Sequence, residues 1–282
     1  MKSYGFSADI KTIRELLSIT QESLSLLTSI PRVTLARAET NEHILSDANL
    51  EKFYDFVFKK GIYLNEVRSQ ILLENYPLVL FHGAKSEIEG DIDLNYSRAN
   101  TDFGKGFYLG ETYQQAASWI TNNNNSSIYS FSFDKSKLNG LSLEISNEWM
   151  IAILFYRGRL EKYKTHPAVL EIINKISKYD YIVAPIADNN MYDILESFSI
   201  GEITDEQCKH ALSASNLGKQ FVLLKDNAKT HLICLKRFYL CKSERDELAK
   251  KDKNRKIQAK QKADLSIIEY RRKGKYIDEI FR

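Results

Sequence analysis

The chain has 282 residues, 43% of them hydrophobic and 27% charged, a length and composition that suit one large folded domain or two modest ones and exclude a disordered chain. A formal net charge of +3 hides an asymmetry: residues 243–282 hold 13 Lys/Arg against 8 Asp/Glu, so attraction for nucleic acid or an acidic partner is confined to that tail. No apolar run approaches the ~18 residues of a membrane span, residues 1–11 lack the apolar core of a secretory signal, and the three cysteines form no CxxC or Cys/His pairing; a cytoplasmic protein without membrane contact, disulfide framework or metal is expected.

Between residues 10 and 61, Ile13, Leu16, Leu17, Leu24, Leu27, Leu50, Phe53, Phe56 and Val57 recur at helical spacing, which predicts a compact module of short helices. Thr20 is placed as the N-cap of a helix reaching Leu27, and Ile30-Pro31 starts the next with proline at a permitted first position. A bridging helix over 64–75 follows, and Pro77 marks a boundary. Beyond it, β-branched and aromatic runs predict strands at 78–82, 106–109, 127–133, 181–184 and 220–224, with helices at 113–120, 147–157, 167–178 and 204–214. Residues 122–127 read as a polar loop tip. Past Ser243 comes a Lys-rich helix whose Ile267, Ile268, Ile277 and Ile280 would pack against the body. The class is mixed α+β.

Two stretches carry chemistry. Leu78-Val-Leu-Phe-His-Gly83 is an apolar strand that delivers an imidazole at its end, beside a glycine whose backbone a ligand can approach closely. Asp102-Phe-Gly-Lys-Gly-Phe-Tyr-Leu-Gly110 frames aromatics with glycines, and the helix after it carries Trp119. Singly, an aromatic in a strand, a lone histidine and a strand glycine have structural explanations in packing and bulges. Their combination is more specific.

The segment from Ile13 to Glu39 resembles the phage-repressor (XRE-type) helix-turn-helix, with Ser29 where that family's turn usually has glycine. The resemblance implies DNA contacts from Gln21, Arg32, Thr34 and Arg37, and pairing as a homodimer. Residues 1–70 nevertheless balance nine basic against nine acidic side chains, so a helical protein-docking module stays an open alternative.

The second half resembles the diphtheria-toxin and PARP group of ADP-ribosyltransferases, in which one strand ends in His-Gly and another in Gly-Phe-Tyr before a helix bearing an aromatic. It is also similar to the bacterial family called domain of unknown function 3990, through Phe81-His-Gly83, Ser97-Arg98, 102–108, 188–192, 203–207 and 217–220. The resemblance implies an ADP-ribosyltransferase-like split β-sheet domain with helical insertions, following the helix-turn-helix. It implies NAD as substrate, its cationic nicotinamide ring stacked between Tyr108 and Trp119 beside Phe107. Gly83 would hold the carboxamide, His82 the adenine-side ribose, and Arg98 or Lys105 the pyrophosphate.

The resemblance implies that Gln220 stands at the place of the glutamate that stabilises oxocarbenium charge in that group. An amide bonds a ribose hydroxyl but carries no charge, so His82, Tyr108 and Gln220 form the expected catalytic set with Glu144, Glu202 or Asp188 as compensating acids. The expected organisation is a helix-turn-helix at 1–65, a transferase-like domain at 77–240 and a charged helical segment at 241–282. The expected activity is that of a toxin or defence-type transferase acting on a protein or nucleic-acid acceptor. A non-catalytic NAD or ADP-ribose-sensing regulator, or an NAD glycohydrolase, are the alternatives.

Overall fold

The computed structural model describes residues 4–40, 45–123, 126–187, 189–214 and 218–282. Asp188, Leu217 and part of the 122–127 loop lie outside the described residues. Four helices open the chain: α1 (Phe6–Leu16), α2 (Gln21–Thr28), α3 (Arg32–Ala38) and α4 (Asp47–Lys59). Thr20 caps α2 as expected, its hydroxyl accepting the Ser23 N–H at 3.1 Å. Ser29 ends α2 at φ 54°, the left-handed position that glycine fills at least cost. Pro31 stands one residue earlier than expected, as the N-cap of α3, where its missing N–H leaves no bond unmade. Phe6, Ile10, Ile13, Leu24, Leu35 and Phe53 close a core between these helices.

The chain continues through α5 (Leu64–Asn75), β1 (Val79–Ala84), β2 (Phe107–Gly110), α6 (Tyr113–Ser118), β3 (Ser127–Phe133) and β4 (Gly140–Ser142). Then come α7 (Asn147–Tyr156), α8 (Pro167–Ile176), β5 (Tyr181–Pro185), α9 (Asn189–Ser199) and α10 (Asp205–Ser213). Last are β6 (Lys219–Leu223), α11 (Asp226–Lys229), β7 (Leu232–Tyr239), α12 (Lys242–Glu269) and α13 (Ile277–Ile280). The described residues thus hold thirteen α-helices and seven strands, a mixed α/β chain with an N-terminal helical module. Among them no helix is long and apolar enough to cross a membrane.

These elements fall into two compact units that interleave along the chain. The first comprises Met1–Asp91, Thr112–Phe133 and Ile233–Lys251; the second comprises Ile92–Glu111, Asp134–Leu232 and Asp252–Arg282. In the first, β1 and β3 pair antiparallel with His82 opposite Tyr129 and Gly83 opposite Ile128, and β7 lies beyond β3. Asp9, at 1% exposure, ties the opening helices down: it takes the Arg68 guanidinium at 2.5 Å and the Tyr54 hydroxyl at 2.9 Å, with the Lys236 ammonium at 3.9 Å. Burial pushes its carboxyl above the ordinary range, against the opposing pull of Lys236 and Arg68.

In the second unit the strand order is β4-β5-β6-β2, parallel between β4 and β5 and antiparallel elsewhere. Its core is built on α7, where every residue from Trp149 to Leu154 is buried; a helix apolar on all sides is stable only when surrounded. The 203–207 stretch has a structural task. Thr204 and Gln207 form a capping box on α10, Gln207 Nε2 donates to the Ile267 carbonyl at 2.8 Å, and Asp205 exchanges bonds with Lys275 at 2.9 and 2.8 Å. Ile277 is buried, and Ile267 and Ile280 pack beside it as expected, but Ile268 is 69% exposed: it sits one residue on from Ile267, about 100° around the helix, and so faces away.

Candidate functional site

In the second unit the glycine-framed loop before β2 folds around the hydroxyl of Tyr108. That oxygen accepts the Phe103 N–H at 3.0 Å, donates to the Gly104 carbonyl at 2.8 Å and meets the Thr101 hydroxyl at 2.7 Å. Gly104 supplies the positive φ of 72° that the turn requires, and the Tyr156 ring lies 3.0 Å from where a Cβ would stand. Burial pushes the Tyr108 phenol well above its ordinary value, so it stays a neutral hydrogen-bonding anchor. The Tyr108 ring is half-buried, Phe107 is buried, and Arg98 and Lys105 are exposed.

The loop thereby presents Asp102, which is 5% exposed, to three other elements. Its Oδ1 accepts Nε and Nη2 of Arg157, at the end of α7, at 3.0 and 2.5 Å. Its Oδ2 accepts the Gln220 amide from β6 at 2.7 Å and the Ala187 N–H at 3.4 Å. Gln220 also donates from Nε2 to the Pro185 carbonyl at 3.2 Å, and the Arg157 guanidinium lies 4.9 Å from the centre of the Tyr192 ring. A buried carboxylate is tolerable where, as here, a guanidinium and several N–H groups surround it.

This cluster changes the part that Gln220 can play. The side chain is 2% exposed, and both hydrogens of its amide are in use. Two of the acids named as compensators have other partners: Glu144 pairs with Lys219 at 2.7 Å, and Glu202 accepts the Ser197 hydroxyl at 2.8 Å. Asp102, which in the sequence stands only as the first residue of a glycine-rich motif, is the carboxylate in contact with Gln220. Arg157 carries no motif at all; its one signal is that it closes a helix whose preceding residues, from Trp149 to Tyr156, hold no other charge.

Across the sheet of this unit, β2 and β6 are hydrogen-bonded neighbours, with Tyr108 opposite Val222 and Gly110 opposite Gln220. Tyr108 and Gln220, two of the expected catalytic residues, therefore stand on paired strands.

His82, Gly83 and Trp119, expected from the sequence to meet NAD, belong to the first unit. His82 is half-buried on β1, and Trp119 ends α6 with 37% of its surface exposed. A Cβ at Gly83 would stand 2.3 Å from the Ala116 carbonyl oxygen of α6. Close helix–strand packing alone therefore demands glycine there, whatever ligand its backbone meets.

Helix α6 is anchored by Tyr113, whose hydroxyl donates to Glu244 at 2.8 Å, while Asn65 donates to the other carboxylate oxygen at 2.9 Å. Burial pushes Glu244 up to about 7 from the ordinary 4.5, with Glu66 and Glu247 adding to it and the two donors opposing. A carboxyl raised on folding contributes stability that is fully present below the unfolded value, near 4.5, and is lost as pH rises through about 7. Glu244→Gln should match the wild type near pH 4.5 and exceed its unfolding free energy by up to about 3 kcal/mol at pH 8. Urea denaturation at both pH values checks this; a constant difference between them would contradict it.

On the opening helices, Arg32 and Arg37 are exposed on α3, where with Val33, Ala36 and Thr40 they line a groove of about 390 Å3, and Thr34 is half-buried. Gln21 instead turns to the buried Glu39, donating at 2.8 Å beside Arg14 at the same distance.

Fold and site together define a mixed α/β protein whose second unit is organised around a buried carboxylate, guanidinium and amide. Residues 78–235, more than half of the chain, match the family described as protein of unknown function (DUF3990), and the chain belongs to that family. No curated protein and no solved structure matches the chain.

Proposed function

We propose that the chain is an NAD-dependent ADP-ribosyltransferase of toxin or defence type, with residues 77–240 as the transferase-like domain, the 1–65 module binding DNA or a partner, and the 241–282 segment charged and helical. The acceptor is a protein or a nucleic acid. The observation that supports this best is the pairing of β2 with β6, which sets Tyr108 and Gln220 on neighbouring strands as a nicotinamide-stacking ring and a ribose-contacting group require. Cleavage of the glycosidic bond then builds oxocarbenium charge on a ribose whose 2′-hydroxyl Gln220 meets.

A second reading, a non-catalytic sensor of NAD or ADP-ribose, draws support from the neutrality of Gln220 and the commitment of its amide hydrogens to Asp102 and Pro185.

One assay separates these. The protein is incubated with labelled NAD and candidate protein, DNA and RNA acceptors, and both nicotinamide release and label transfer are followed. Release with transfer supports the transferase, release alone an NAD glycohydrolase, and binding without either product the sensor. Tyr108→Ala should abolish binding and turnover together, whereas Tyr108→Phe, which keeps the ring but removes the hydroxyl that holds the 101–104 loop, should weaken binding less. Unchanged binding in Tyr108→Ala would refute the pocket.

A further inference from the structure

A carboxamide can present either its oxygen or its nitrogen to a ligand, and the surroundings decide which. At Gln220 the neighbours are a carboxylate oxygen of Asp102 at 2.7 Å and the carbonyl oxygen of Pro185 at 3.2 Å. Both are acceptors only, so each must face an N–H, and a flipped amide would set oxygen against oxygen twice. Nε2 is thereby consumed, and Oε1 is the only polar atom of the side chain left for a ligand. A group that meets Gln220 must donate to it, as a hydroxyl of a ribose does.

Asp102 is itself fixed by three further hydrogen bonds, two from Arg157 at 2.5 and 3.0 Å and one from the Ala187 N–H at 3.4 Å. An amide that donates to an ionised carboxylate is polarised along the bond, with more negative charge on its oxygen. The carboxylate and guanidinium together are neutral, so the cluster supplies an oriented dipole rather than a charge.

We infer that Asp102, held by Arg157, is a positioning residue that acts through Gln220, locking its amide so that a polarised Oε1 accepts the ribose hydroxyl in place of the absent glutamate. This rests on the transferase reading above. It assigns the two most buried polar groups of the site a task in turnover, beyond holding the fold.

The test uses the full chain, with NAD as the probe and nicotinamide release as the readout, in Asp102→Asn and in the exchange variant Asp102→Asn/Gln220→Glu. In Asp102→Asn the new amide would turn its own N–H towards Gln220, which then flips and offers an N–H where the ligand needs an acceptor. A fall in kcat of about tenfold is expected, the effect of one misplaced hydrogen bond, with a smaller change in KM.

In the exchange variant an amide at position 102 donates to a carboxylate at position 220, so the pair is restored with a full charge on the ligand side. Its kcat should rise above that of Asp102→Asn towards the wild-type value, while its thermal midpoint stays below the wild type's, because a carboxylate now faces the Pro185 carbonyl that Nε2 met at 3.2 Å. Wild-type kcat in Asp102→Asn would overturn the inference. So would an exchange variant that folds cooperatively at the assay temperature with kcat still at the Asp102→Asn level, which marks the pair as structural alone. If the wild-type protein itself neither binds NAD nor releases nicotinamide, the transferase reading falls on that arm alone and takes this inference with it.

Discussion

Gln220→Glu, the change that the proposed transferase chemistry would invite, should weaken the second unit at neutral pH. The new carboxylate would lie within hydrogen-bond distance of Asp102 Oδ2, which the Gln220 amide now meets at 2.7 Å, at a position 2% exposed. Two carboxylates in such contact cannot both stay ionised, and Arg157 is already committed to the other oxygen of Asp102. Either one carboxyl holds a proton or the contact opens, at a cost of about 3 kcal/mol at pH 7.

Because the pair's protonation is favoured in the folded state, the penalty should shrink as pH falls towards 5 and the shared proton restores an O–H···O bond. Denaturant midpoints at pH 5 and 7.5 check this; a variant as stable as the wild type at both values would mean that the two side chains part without strain.

The largest loss in the first unit is expected from Asp9→Ala. It leaves the Arg68 guanidinium and the Tyr54 hydroxyl without their partner at 2.5 and 2.9 Å, and removes the charge opposite Lys236. Breaking a buried ion pair on one side typically costs about 3–5 kcal/mol, because the surviving charge stays buried. Asp9→Asn keeps an acceptor for Tyr54 and should lose less. Urea unfolding of both variants reads the difference; equal, small losses would show that Arg68 and Lys236 reach water once Asp9 is gone.

How far the sequence discloses this protein depends on whether the signal is local. Helical spacing, the Thr20 cap and the apolar runs place five of the seven strands within about two residues, since periodicity and capping are properties of neighbouring side chains. β7 escapes such patterns: most of its residues are only partly buried and Ile233 is 65% exposed, so the two-residue alternation of a half-buried strand is blurred. α9 opens on two asparagines, poor helix formers that read as a loop.

The candidate site shows the same divide. Tyr108 and Gln220 stand in short motifs and are legible there. Asp102, Arg157 and Gln220 meet across separations of 55 and 118 residues, and such a polar cluster leaves no local pattern.

The interleaving of the two units bears on how the protein is born. The first unit draws β1 from near residue 80, α6 and β3 from 112–133, and β7 with the start of α12 from 233–251. Synthesis runs from the N-terminal side onward, so the opening helices can collapse early while β3 waits for its outer strand until Tyr239 has emerged. Until then the β1–β3 ribbon keeps an open edge on the side that β7 will occupy. A nascent chain of this design would be incomplete, and silent in any activity that needs the first unit, until β7 has been made.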